Sequence, residues 1–233
     1  MNANPAPLRL YGHPVSNYFN AAHAALIGKG AAFEIVNVSA SQDEAFLGRS
    51  AMGKIPYLET ARGCIAETIA ILEYLEDEIP DSPLYPADNY ARARARQIIN
   101  VVQVYVEVPV RSIFPGVFFG GTNTVEAVAS ARQTLDRATD ALKRLVDPAP
   151  WLLADDFGHA DIFAFYCLDI AERVTRFVYD RSILAETGLT DWRANVAGRA
   201  SSRTVLAGFA PAFEAYLTAK QAAYRPELEL RHA

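Results

Sequence analysis

Cysteine is scarce in this chain: Cys64 and Cys167 are the only two in 233 residues, and no Cys-x-x-Cys occurs. That excludes a disulfide framework, a zinc ribbon and a dithiol redox centre. Long apolar runs are missing as well. The longest, around 162–168, falls well short of the ~18 residues that a membrane helix needs, so no membrane association is expected. Positive charge is in deficit, with 22 Lys and Arg against 27 Asp and Glu and a net charge of −5, which opposes a nucleic-acid partner. The first ten residues carry no basic flank followed by an apolar stretch of signal-peptide length, so a cytoplasmic protein is expected. His13, His23, His159 and His232 show no metal-ligand spacing among themselves or with either cysteine, and no metal is expected. What is present is a composition 51% hydrophobic and 21% charged, which builds a packed core at a length that suits two modest domains.

The first eighty residues alternate strand-like and helix-like segments. An apolar strand at 8–11 is broken by Gly12 and Pro14, and an Ala-rich helix at 17–27 stops at Gly28 and Gly30. Residues 33–38 set Phe33, Ile35 and two valines against Glu34 and Asn37, which is read as a half-buried strand. After a weak helix at 42–49, strands at 57–60 and 64–66 flank Ala61-Arg62-Gly63 in hairpin spacing, and a helix runs from Thr68 to Ile79, ended by Pro80. In that last helix Leu72 and Leu75 form a core stripe, with Glu73 and Glu76 on a solvated face. The order is that of a thioredoxin-like fold.

Three prolines, Pro80, Pro83 and Pro86, mark a linker. All that follows reads as helix, over about 88–119, 124–146, 158–178 and 201–222, with Pro109 and Pro115 splitting the first of these. The expected architecture is an α/β thioredoxin-like N-terminal domain (1–80), a linker (81–87) and an all-α C-terminal helical domain (88–233).

Three short runs carry chemistry. In Pro14-Val15-Ser16-Asn17-Tyr18-Phe19-Asn20 a turn delivers a hydroxyl to the start of a helix. Ser16 there is either a plain N-cap or a donor to a thiolate held by the positive helix end. In Gly53-Lys54-Ile55-Pro56-Tyr57 a proline directly precedes a strand. A trans bond would simply start the strand, whereas a cis bond would turn the main-chain groups of Ile55 outward to pair with a peptide. In Cys64-Ile65-Ala66-Glu67-Thr68-Ile69-Ala70 a strand runs into a helix whose unpaired N–H groups suit a carboxylate, unless Thr68 is only a cap.

Taken together, Gly53-Lys54-Ile55-Pro56 and the following Glu67-Thr68-Ile69-Ala70-Ile71 resemble the glutathione-site signature of the glutathione S-transferase family. The opening Leu10-Tyr11-Gly12-His13-Pro14-Val15-Ser16-Asn17-Tyr18-Phe19-Asn20 is similar to its bacterial, serine-type, theta-like members. The resemblance implies that the main chain of Ile55 holds the cysteinyl part of glutathione. It further implies that Thr68 with its helix terminus binds the γ-glutamyl carboxylate, that Glu67 faces the ammonium, and that Lys54 approaches the glycyl carboxylate. Ser16 would donate to the sulfur, with Tyr11 and Asn17 as alternatives. Only the thiolate is a good nucleophile, and lowering a thiol pKa of ~8.5 by about two units takes ~2.7 kcal/mol of preferential thiolate stabilisation.

The resemblance also implies glutathione as co-substrate without a metal, a homodimer, a part in detoxification and a small, mostly apolar electrophile between the domains. Tyr11, His13, Tyr105, Arg111 and Phe114 are the candidate wall of that co-substrate site. A non-catalytic binding protein on the same scaffold, or a glutathione-dependent isomerase or dehalogenase, would share every one of these motifs. Gly158-His159-Ala160-Asp161 is read as a cap that serves folding, with glycine where the family has Ser or Thr.

Overall fold

The Ala-rich first helix explains how the N-terminal layers approach each other. In a computed structural model that describes residues 8–153 and 156–226, β1 (Leu8–Gly12) passes into α1 (Asn17–Gly28), whose Phe19, Ala21, Ala22, Ala25 and Leu26 are wholly buried. Small side chains let that helix lie close to the sheet. Gly12 makes the closest approach: its φ is +157° and a Cβ there would stand 2.4 Å from the Phe19 ring. The leader reading on the first ten residues and the histidine at 232 fall partly or wholly outside the described residues.

β2 (Phe33–Asn37), α2 (Glu44–Leu47), β3 (Tyr57–Thr60), β4 (Gly63–Ala66) and α3 (Thr68–Glu78) follow. The sheet order is β2-β1-β3-β4, with β1 parallel to β2 and antiparallel to β3, and β3 and β4 forming the hairpin. This is the thioredoxin-like order. Leu10 and Leu58 pair across the core face beneath α1 and α3, where Ile71, Leu72 and Leu75 are inaccessible to solvent. The other face carries Tyr11 stacked on Tyr57, with Phe46 of α2 edge-on to Tyr57. Ile35 shares the register of Leu10 yet is 41% exposed, because β2 is an edge strand.

Glu76 departs from expectation. Instead of facing solvent it is buried, paired at 2.7 Å with the equally buried Lys29 at the end of α1. It also accepts the main-chain N–H groups of Leu84 and Tyr85 at 3.0 Å each. An ion pair with additional hydrogen bonds offsets the desolvation of both charges. The proline-rich stretch is therefore held down as far as Tyr85 rather than hanging free, and the chain divides into two compact units at 85/86. The first unit comprises 1–85 with Ala200–Phe209, which the sequence reading had placed within the helical domain; the second comprises the rest.

In the second unit α4 (Asn89–Val101) runs into a π-helical segment, Val102–Glu107, then α5 (Val108–Ser112) and α6 (Phe114–Phe118). Val108 N–H reaches back five residues to Gln103 C=O, so the ladder has already widened where Pro109 has no N–H to give. Pro115 sits in the first turn of α6, where a missing N–H costs nothing. α7 (Val125–Leu145) and α8 (His159–Tyr179) complete the main layer. α8 is buried along most of its length, and its buried positions include the polar His159, Asp161, Asp169 and Glu172. Asp161 secures its start, accepting Gly158 N–H at 3.0 Å, Leu152 N–H at 2.9 Å and Trp192 Nε1–H at 2.7 Å. Two short helices, α9 (Ile183–Thr187) and α10 (Thr190–Ala197), were not legible as separate elements, and α11 (Ala200–Ala219) follows. No helix among the described residues is long and apolar enough to cross a membrane.

Candidate functional site

The turn after β1 is knotted by hydrogen bonds before α1 begins. Ser16 N–H donates to His13 C=O at 2.9 Å, and Val15 N–H lies 3.4 Å from His13 Nδ1. Ser16 is extended (φ −81°, ψ 118°) and its Oγ accepts Phe19 N–H at a long 3.3 Å. Ser16 is thus the N-cap, and capping uses only a lone pair. The hydroxyl proton has no acceptor among the described residues, so a second role is open to it. Asn17 beside it is buried. Asn20, 2% exposed, donates from Nδ2 to Pro14 C=O at 2.8 Å and from its N–H to Ser16 C=O at 2.9 Å.

A second loop leads into β3. The buried Ser50 hydroxyl donates to Lys54 C=O at 2.8 Å and accepts Lys54 N–H at 3.2 Å, while Gly53 N–H donates to Ser50 C=O at 2.7 Å. Gly53 has φ +63°, and a Cβ there would lie 2.2 Å from Ser41 C=O, so only glycine fits. This bracing fixes Lys54, whose side chain is exposed, and presents Ile55, whose bond to Pro56 is cis. Among the described residues no hydrogen bond is made to the N–H or C=O of Ile55.

The third piece is the start of α3. Glu67 is exposed and takes φ +67°, an uncommon conformation for a residue with a Cβ. No side chain caps this helix. Its first N–H groups carry the positive end of the helix dipole. Thr68 is buried, and its hydroxyl donates to Tyr18 C=O of α1 at 3.3 Å. The Thr68 hydroxyl is therefore turned toward α1, and the main-chain N–H groups are the better donors to an anion. That bond also brings the N-termini of α1 and α3 together. Two partial positive charges, a hydroxyl and an open strand-like main chain at Ile55 belong to one small unit.

Tyr11 is not free to serve a ligand through its oxygen: its hydroxyl donates to Glu59 at 2.5 Å. That bond, followed by burial, holds the phenol pKa above its ordinary value. His13 is half-buried in the turn. Tyr105, Arg111 and Phe114 belong to the second unit. There Tyr105 is 52% exposed on the π-helical segment, Arg111 pairs with the buried Glu107 and its guanidinium lies 4.9 Å over the ring of Phe114, which is itself in the core. Cys64 is half-buried, and burial pushes its thiol pKa up, the opposite of an activated nucleophile. Among the described residues no group of three or more His, Cys, Asp or Glu could hold a metal ion. Sequence reasoning missed Ser50 and Asn20 as structural partners of the site, since a serine six residues before a proline and an asparagine inside a helix carry no signal of their own.

The family model described as glutathione S-transferase, N-terminal domain, matches residues 6–77. A glutathione S-transferase of Pseudomonas putida is 34% identical over 179 residues, covering 77% of this chain and 81% of that protein. Among solved structures, a glutathione S-transferase from Rhodospirillum rubrum matches with a TM-score of 0.71 at 25% identity, over 85% of this chain and 91% of that one. Another, from Methylobacterium radiotolerans and in complex with glutathione sulfonate, matches at 0.72 with 23% identity, over 86% and 94% of the two chains; at that identity it speaks for the fold.

Proposed function

Since the chain belongs to the glutathione S-transferase family, we propose that this glutathione transferase uses Ser16 to hold its substrate's sulfur as the thiolate for attack on a small electrophilic, mostly apolar co-substrate. The observation that carries this reading is the meeting of the α1 and α3 N-termini at the Thr68–Tyr18 bond. Glutathione brings two negative charges to such a place, the reacting sulfur and the γ-glutamyl carboxylate. Each helix end favours one of them.

In this arrangement the sulfur sits at α1, where Ser16 already spends a lone pair on the cap and keeps its proton to donate. One charge-assisted hydrogen bond contributes ~1.5–3 kcal/mol, and the helix dipole adds to it, which matches the ~2.7 kcal/mol that a two-unit drop in thiol pKa requires. The γ-glutamyl carboxylate takes the N–H groups at the start of α3, that of Thr68 among them, and the exposed Glu67 faces the ammonium. Ile55 offers N–H and C=O to the cysteinyl backbone in the manner of an added strand, and Lys54 approaches the glycyl carboxylate. Tyr11 is left out of sulfur chemistry because Glu59 holds its hydroxyl. The same reading has the protein act in the cytoplasm, as a homodimer, in detoxification.

The test is titration of the bound thiol by its thiolate absorbance. Ser16→Ala is expected to raise its pKa by about one to two units and to lower kcat at neutral pH about 10- to 100-fold, with Tyr11→Phe close to wild type. A thiol pKa untouched by Ser16→Ala but shifted by Tyr11→Phe overturns the assignment.

A further inference from the structure

Resting on that assignment of Ser16, we propose that Asn20 is a positioning residue that fixes the direction in which Ser16 presents its hydroxyl to the glutathione sulfur. Asn20 grips the turn twice. Its main-chain N–H donates to the C=O of Ser16 at 2.9 Å, and its Nδ2 reaches past Ser16 to the C=O of Pro14 at 2.8 Å. The first of these is the ordinary helical bond that any residue here would make; the second, to Pro14, is what the side chain adds, while Ser16 N–H is tied to His13 C=O from the other side.

The clamp fits function better than folding. A carbonyl only accepts, so Nδ2 must face Pro14 and Oδ1 must point the other way. That oxygen is buried and has no partner among the described residues, in a side chain only 2% exposed. Buried acceptors left without a donor burden the folded state and call for an explanation. A leucine has the same branching and would strand no oxygen. What leucine cannot supply is the bond to Pro14.

That bond matters because the cap contact alone holds Ser16 loosely. Oγ stands 3.3 Å from Phe19 N–H, at the long end for such a contact, so the cap leaves the hydroxyl free to rotate and the turn sets where it stands. Asn20 touches neither the sulfur nor the co-substrate in this scheme and acts only through Ser16. Loss of its side chain should therefore weaken thiolate stabilisation while leaving the main-chain groups of Ile55 and the α3 terminus to bind the tripeptide as before.

The experiment compares wild type, Asn20→Leu, Asn20→Ala and Ser16→Ala by calorimetric glutathione affinity, by the pKa of the bound thiol and by the pH profile of kcat. Asn20→Leu keeps the branched shape in a larger side chain, and Asn20→Ala serves if the leucine packs badly. Either is expected to raise the thiol pKa by about half a unit to one unit and to lower kcat about 3- to 10-fold at neutral pH, the loss closing as pH rises, with glutathione affinity within about twofold. If Ser16→Ala shifts the thiol pKa and neither folded Asn20 variant does, Asn20 only packs and the inference is overturned while the Ser16 assignment stands. A thiol pKa indifferent to Ser16→Ala as well removes the assignment itself, and the inference with it.

Discussion

His23 makes the first unit sensitive to acid. It lies on α1 between Phe19 and Phe33, its ring 5.8 Å and 5.5 Å from theirs, and burial there pushes its pKa down to about 4. In the unfolded chain the same imidazole titrates near its reference value of ~6.5. On lowering the pH through that window the unfolded chain takes up the proton first, so stability falls from about pH 6.5 and the loss is complete only below the folded value. The ceiling is ~2.5 kcal/mol by pH 4.5, and roughly half of it remains once the ring's partial exposure to solvent is allowed for. His23→Leu removes the proton site and keeps the ring-to-ring gap filled. Urea midpoints at pH 7 and pH 4.5 should therefore show the variant losing about 1 kcal/mol less than wild type on acidification. Equal losses in the two proteins would refute the reasoning, because carboxylates are common to both.

Three further expectations follow from contacts already described. Lys29→Met leaves Glu76 buried without its ammonium and should cost ~3–5 kcal/mol in urea unfolding; a loss below about 1 kcal/mol contradicts the burial of that pair. Asp161→Asn keeps one oxygen for Leu152 and Trp192 but offers Gly158 N–H no acceptor, a loss of ~1–3 kcal/mol at acid pH. Since burial holds the Asp161 pKa above the ordinary carboxylate value, wild-type stability falls as pH rises through its titration, a dependence the Asn variant lacks and pH-resolved melting would detect. Ser50→Ala strips both side-chain bonds from Lys54 and should raise KM for glutathione about 3- to 10-fold with kcat within about twofold; steady-state kinetics with the reverse split would contradict it.

Much of the first unit was legible because its signals are local. Gly12 with Pro14, the 57–66 hairpin spacing and the apolar period of α3 each name an element without reference to the rest of the chain. The residues proposed to anchor glutathione, Ser16, Ile55, Glu67 and Thr68, stand out in the sequence for a similar reason, each sitting at a strand or helix boundary. Glu76 was misjudged because periodicity sees only the helix it sits on, whereas Lys29, some 47 positions earlier, decides its environment. The edge position of β2, and with it the exposure of Ile35, depends on sheet order, which no single strand encodes. Asn20 and Ser50 act on main-chain atoms four or more residues away, through geometry that residue type alone does not announce. α9 and α10 are too short for a helical period to show.

The wide turn at Val102–Glu107 bears on how this chain tolerates changes in length. A residue reaching back five positions instead of four represents one amino acid more than an ordinary helix would need, and each residue of an α-helix advances the side chains by about 100° around the axis. Removing a single amino acid there would let the backbone close into a regular spiral with every amide still paired. The side chains inside the segment would then face differently, whereas Glu107, Arg111 and Phe114, all at its far end, would keep their spacing along the chain and with it their contacts with one another. A deletion that looks harmless to helix content would rewrite which side chains that stretch displays.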